Sequence, residues 1–217
     1  HSRCGVVCVD DEWGLRLAQE SEVPVTTVSV FSHREADWTV RRINFDRAIP
    51  AVTFDLVTPQ GDERLIRMPM LGEVNVQNAV VALVAALQLG CEFEAAVSTL
   101  EGAEQIPGRM TSVNPDPGAQ PLVIVDFAHT PEGLDWTLKS VRELTRGKLV
   151  LVFGTDGDRD ATKREPLAEI AAQLADVLWV TDENPRTEDA PSIRQQLLNG
   201  IRRVRPDFHD VTEVTTC

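Results

Sequence analysis

At 217 residues the chain has room for one large domain or two modest ones, and its 42% apolar content is ordinary for a soluble globular protein. A net charge of −13 argues against non-specific binding to nucleic acid or to an anionic membrane. No run is long enough to span a bilayer, and the opening HSRCGVVCVDDEWG lacks the basic start and apolar core of a secretory signal.

From the first residues through about Phe31 the pattern is strand, helix, strand: GVVCV, DEWGLRLAQE, PVTTVSVF. The absence of an initial Met, directly before a strand, points to a fragment. Residues 38–72 are β-rich, with Pro59-Gln60-Gly61-Asp62 as a hairpin turn. In AVTFDLV the alternation of Val52, Phe54 and Leu56 with Thr53 and Asp55 suits a sheet with one covered face. Val76, Ala79, Val80, Leu83, Val84 and Leu87 then share one helical face, and Gly90 ends that helix. Asn75 reads as its N-cap, whereas Asn78, one turn in, is a poor helix former whose amide needs another use. A second helix follows, roughly Glu92 to Leu100. Pro107-Gly108-Arg109 and the stretch VNPDPGAQP (113–121) mark a composition shift, and the domain boundary is set there, at 110/111.

Beyond it, short apolar strands (122–127, 148–154 and 177–180) alternate with amphipathic helices, which predicts βαβ units and a parallel sheet covered on both faces. Thr130-Pro131 and Asp189-Ala190-Pro191 supply caps with Pro in the first helical turn. The four cysteines (Cys4, Cys8, Cys91, Cys217) form no CxxC pair and have no His at ligand spacing, so structural zinc has little support and reduced thiols are expected.

Ligands of parallel α/β sheets bind beyond the carboxyl ends of the strands, and three polar clusters gather there. They are Asp126-Phe127-Ala128-His129-Thr130-Pro131, Gly154 to Asp160, and Thr181-Asp182-Glu183-Asn184-Pro185-Arg186. The loops at the other end, around Gly147 and Asp176, look plain. Singly, each group has an ordinary explanation: Asp126 caps a turn, His129 packs in a loop, and Arg159 pairs with Asp156, Asp158 or Asp160 on the surface. Together they suggest carboxylate and phosphate handling. A guanidinium grips a carboxylate through two parallel hydrogen bonds, and Arg159 and Arg186, at adjacent strand ends, form such a clamp from two sides. Arg109, beside the boundary, is placed to reach a ligand held between domains.

The stretches NVQNAVVA (75–82), PGRM (107–110), DFAHTPEG (126–133), GDRDATKR (157–164) and TDENPRTED (181–189) resemble, in order and spacing, the Mur ligase family over nearly the whole chain. Ala128-His129-Thr130-Pro131 resembles the branch that adds the third residue of the peptidoglycan stem peptide. The resemblance implies an α/β fold in two parts. Residues 1–110 would be the carboxyl-terminal part of a P-loop-type central ATP-binding domain. Residues 111–217 would be a Rossmann-like, mostly parallel αβα carboxyl-terminal domain, truncated at its end. It also implies a cytoplasmic, ATP- and Mg2+-dependent ligase joining meso-diaminopimelate to the D-Glu side-chain carboxylate of UDP-MurNAc-L-Ala-D-Glu. No obligate protein partner is implied.

By position, Asn78 would face the adenine, Asp126 the ribose and Arg109 the phosphates, with His129 near the nucleotide. Arg159, Asn184 and Arg186, with Asp182 beside them, would hold the diamino acid. No residue is assigned the chemical step itself, and none a metal. No G-x-x-x-x-G-K-S/T occurs, so the family's P-loop, sugar-binding domain and carbamylated lysine would lie before His1, and its closing Gly-Lys-Gly-His-Glu segment after Cys217. The chain alone would then lack ligase activity. Thr155-Asp156 replaces an expected Cys-Gly, and Glu183 an expected Asp, which adds negative charge near the clamp. Two other readings stay open: a lysine-adding ligase, which would not need Arg186, and a truncated relative that binds without turning over ATP.

Overall fold

The computed structural model describes residues 3–32, 34–46, 51–113, 121–207 and 209–214, which fall into two compact units meeting between Asp126 and Phe127. Most of the stretch 113–121, where the sequence sets the domain boundary, lies outside the described residues, as does Cys217.

The first unit is built on a five-stranded sheet in the order β1 (Gly5–Cys8), β2 (Val25–Ser29), β3 (Trp38–Asp46), β4 (Ala51–Val57), β5 (Glu63–Met68). The first three strands run parallel, with α1 (Glu12–Glu20) crossing from β1 to β2, and the last three are antiparallel. The β4–β5 turn closes through Gly61, at φ +88°, whose amide donates to the Thr58 carbonyl at 2.9 Å. β4 is paired on both edges, and nearly all of it is buried. Even Asp55, expected on an open face, is covered, and the Arg42 guanidinium meets its carboxylate at 2.5 Å. That arginine lies at φ +52° in an irregularity of the β3 ladder. Helix α2 (Glu73–Gln88) lays Val76, Val80, Leu83 and Val84 onto a core with Phe54, Leu56 and Ile66. It ends at Gly90, whose φ of +92° is open to glycine at little cost. Helix α3 (Phe93–Glu101) follows, capped by the Glu92 carboxylate.

The segment expected as the first strand of the parallel sheet has a different partner. Only Ile124–Val125 (β7) is extended, and it pairs antiparallel with β6 (Thr111–Ser112) as a two-stranded ribbon. The Val113 amide continues the ladder to the Val123 carbonyl at 3.0 Å.

The second unit carries a parallel sheet in the order β10 (Val211–Glu213), β9 (Val177–Val180), β8 (Val150–Phe153). Helices α4 (Pro131–Leu144), α5 (Arg164–Leu174) and α6 (Ala190–Val204) bury Leu134, Leu138, Leu167, Ala171, Leu197 and Ile201 against Phe153, Leu178 and Val180. Thr130 and Asp189 cap α4 and α6 through the amides of Gly133 and Ser192, at 3.1 and 3.0 Å, and Pro follows each cap as expected. The expectation of a sheet covered on both faces is not met among the described residues. Successive strand side chains point to opposite faces, and Val150, Val152 and Trp179 stand exposed while Leu149, Phe153, Leu178 and Val180 are buried.

Candidate functional site

In the second unit, β8 and β9 end in register, Phe153 opposite Val180, so the loops that follow them rise from one edge of the sheet. Two glycines let these loops cross closely. A Cβ on Gly154 would lie 2.5 Å from the Thr181 carbonyl oxygen, and one on Gly157 would lie 1.9 Å from that of Pro185. With no side chain in the way, the Gly157 amide donates to the Asn184 carbonyl at 2.8 Å. Asp158, at φ +53°, accepts from the Thr187 amide at 3.0 Å and from its hydroxyl at 2.8 Å, and donates its own amide to Glu188 at 2.6 Å. Beneath both loops lies Arg164, only 1% exposed. Its guanidinium makes two 2.9 Å bonds to the Glu188 carboxylate, and others to Gln196 at 3.1 Å and the Asp156 carbonyl at 3.0 Å. The bond from the Arg164 guanidinium holds Glu188 below the usual carboxylate range.

This scaffold presents the expected clamp residues. Among the described residues Arg159 is exposed with no hydrogen bond or ion pair, so its pairing with Asp156, Asp158 or Asp160 does not occur. Arg186 sits at φ +52° and turns its Nη2 to 3.6 Å from Asp156 Oδ2. The Asn184 side chain is exposed. Asp182 is engaged elsewhere: its carboxylate accepts from Arg194 of α6, which also reaches Glu213 of β10 at 2.7 Å. Glu183 is raised above the usual carboxylate range, first by desolvation and then by the nearby Asp156 carboxylate.

In the first unit, Asn75 is not the cap of α2. Gly72 holds that position, at φ +92°, and Asn75 lies buried in the first turn, donating its side-chain amide to the Leu71 carbonyl at 2.6 Å. Asn78 is exposed, and among the described residues its amide has no partner. The start of α2 is tied to the end of β1 through Gln77, which donates to Cys8 Sγ at 3.0 Å and to Asp10, just beyond the strand, at 3.2 Å. Asp10 also accepts from the amides of Val30, Phe31 and Ser32 at 3.0–3.1 Å. Burial opposes its ionisation, yet these bonds hold its carboxyl far below the usual range. Asp126 accepts from the Met110 amide at 2.9 Å and so secures the turn, with Gly108 and Met110 at positive φ, that displays the exposed Arg109. In the second unit, exposed His129 sets its Nδ1 3.0 Å from the Phe127 carbonyl oxygen, with its ring edge-on to Phe127 at 5.0 Å.

The sequence did not reveal Asp10, Glu188, Arg194 or the strand β10. Nor is the opposite sheet edge plain: Asp176 accepts from the Leu149 amide at 2.7 Å and pairs with Arg142 at 2.9 Å. Among the described residues no group of three or more His, Cys, Asp or Glu side chains could hold a metal, and no helix is long and apolar enough to cross a membrane.

Two α/β units, the second built on a parallel sheet, are shared with the ATP-dependent amide ligases of the Mur family, to which the chain belongs. The Mur ligase middle domain matches residues 1–86, and the Mur ligase glutamate ligase domain matches residues 108–216. A UDP-N-acetylmuramyl-tripeptide synthetase from Leifsonia xyli subsp. xyli is 41% identical, over 99% of this chain and 42% of its own length. A UDP-N-acetylmuramoyl-L-alanyl-D-glutamate--2,6-diaminopimelate ligase from Streptomyces coelicolor is 38% identical, over 94% of this chain and 39% of its own. A solved structure of a ligase of the latter name is 32% identical with a TM-score of 0.59, covering 98% of this chain and 43% of that one. The chain thus spans well under half the length of the relatives it matches. A MurF structure from Acinetobacter baumannii, 21% identical with a TM-score of 0.71, shares the fold.

Proposed function

We propose that this chain is part of a cytoplasmic ligase that joins meso-diaminopimelate to the D-Glu side-chain carboxylate of UDP-MurNAc-L-Ala-D-Glu at the expense of ATP. Residues 1–110 belong to the ATP-binding domain and 111–217 to the amino-acid-binding one. The observation that carries the reading is the pair of guanidinium groups, Arg159 and Arg186, presented from adjacent strand-end loops that main-chain bonds lock together. Each suits one carboxylate of a dicarboxylic diamino acid, with the Asn184 amide beside them. The names of the similar ligases support the same substrate.

Asn78, Arg109, Asp126 and His129 are proposed to bind ATP: an amide for the base, a carboxylate for the ribose hydroxyls, a guanidinium for phosphate. Asp126 is suited to a positioning part as well, because it braces the turn that bears Arg109. In the reaction the D-Glu carboxylate takes the γ-phosphoryl group, and the diamino acid's amine displaces phosphate from the resulting acyl phosphate. Mg2+ would accompany the nucleotide. The described residues offer no metal cluster for it. This chain's part is to orient the amine, which converts a bimolecular encounter into a positioned one. Asp182, held by Arg194, serves to fix the loop's start and stands at the edge of the amino-acid site.

Calorimetric titration of meso-diaminopimelate and L-lysine, with an ATP analogue present, tests the reading. Binding of the first at least about tenfold tighter than the second, with the preference lost in R186A, is expected for a charge-assisted bidentate contact. Equal binding, or preference for lysine, overturns the diaminopimelate assignment.

A further inference from the structure

Most acidic side chains of the two loops are consumed by the loops' own scaffold. Asp158 holds Thr187, Asp160 holds Thr162, Asp182 meets Arg194, Glu188 meets Arg164 and Asp189 caps α6. Asp156 is different: its carboxylate faces Arg186, one half of the clamp, at 3.6 Å. It is also well placed to stay there. Its carbonyl accepts from the buried Arg164 at 3.0 Å, and the next residue, Gly157, is locked to Asn184.

This has a consequence for what Arg186 can receive. With Asp156 beside it, part of the guanidinium's charge is already offset, and a bare carboxylate approaching Arg186 would meet the Asp156 carboxylate as well. Like charges brought together in a binding site are a strong source of rejection. A group that brings its own cation avoids that cost: its carboxylate takes Arg186 while its ammonium takes Asp156, and one ion pair becomes two. We propose that Asp156 is a specificity-determining residue that receives the distal ammonium of the diamino acid while Arg186 holds the carboxylate on the same carbon. The site then selects an amino-acid head over a simple carboxylic acid at that end. The inference rests on the diamino-acid reading above.

The test compares meso-diaminopimelate with L-2-aminopimelate, which has the same chain and both carboxylates but no distal ammonium. Each is titrated calorimetrically into the wild-type protein, D156N and D156S, with denaturation midpoints recorded for all three. The wild type should favour meso-diaminopimelate by about tenfold or more, the scale of one charge-assisted hydrogen bond. In both variants the ratio should fall toward unity, with weaker binding of the diamino acid and stronger binding of the aminopimelate. A wild type that does not discriminate overturns the proposal, and so does an unchanged ratio in either folded variant; in both cases the diamino-acid reading stands. If the wild type binds neither compound, that reading falls and the role of Asp156 falls with it.

Discussion

Replacing Arg164 by methionine removes the buried guanidinium on which both clamp loops rest. Deleting one partner of a buried ion pair costs about 3–5 kcal/mol, because the other charge is stranded. Here the partner is Glu188, whose side chain is 33% exposed and so can be rehydrated, which brings the loss to about 3 kcal/mol. Against that, the Arg164 Nε is buried with no hydrogen-bond partner among the described residues, and its removal returns about 1 kcal/mol. The net expectation is a loss of about 2 kcal/mol, measured by urea unfolding followed by circular dichroism and Trp fluorescence. E188Q and the double variant complete a cycle, in which the two losses should fall short of additive. The sign with pH is also set. Glu188 is held below its unfolded value, so its contribution is complete above that value and is lost as pH falls through the lower folded one. The gap between wild type and R164M should therefore narrow on acidification. An R164M protein within about 0.5 kcal/mol of wild type at neutral pH, or strict additivity in the cycle, would refute the reasoning.

Two further outcomes follow from close contacts in each unit. G157A places a methyl group 1.9 Å from the Pro185 carbonyl oxygen, so the loops must part. Overpacking of this kind costs about 1–3 kcal/mol in denaturant unfolding, and binding of the diamino acid should weaken with it; an unchanged midpoint would count against the crossing. D10N converts a carboxylate that accepts from several amides into a group that also donates. Because Asp10 is held below its unfolded value, its stabilisation is complete above that value and fades as pH falls toward the folded one. Wild type should exceed D10N most near neutrality and by less at low pH, and a gap that widens on acidification would contradict the assignment.

Much of this was legible in the sequence where the deciding interactions are local. Thr130 and Asp189 announced their helices because a cap bonds an amide three residues on. The two strand-end loops were legible because glycine, aspartate and proline follow directly on apolar strands, and because their motifs resemble those of a known family. Asn75 misled because Asn suits a cap on its side chain alone, while the chain uses Gly72 three residues earlier. The burial of Arg164 was not legible for a different reason: its partner Glu188 lies 24 residues away, and nothing in GDRDATKR reports it. Pairing of Ile124–Val125 with Thr111–Ser112 is likewise non-local, and β10, three residues with two exposed, carries too little periodicity to be seen.

The stitching of the two loops separates duties between neighbouring residues. Gly157, Asp158, Arg164 and Glu188 bear the anchoring, much of it through main-chain groups. Among the described residues Arg159 and Asn184 contribute no side-chain bond to it, and Arg186 only its pairing with Asp156. Substitutions at these three positions therefore change what the loops grip while leaving how they stand. Under the proposed reading, a lineage could exchange one amino-acid substrate for another by single steps at these positions.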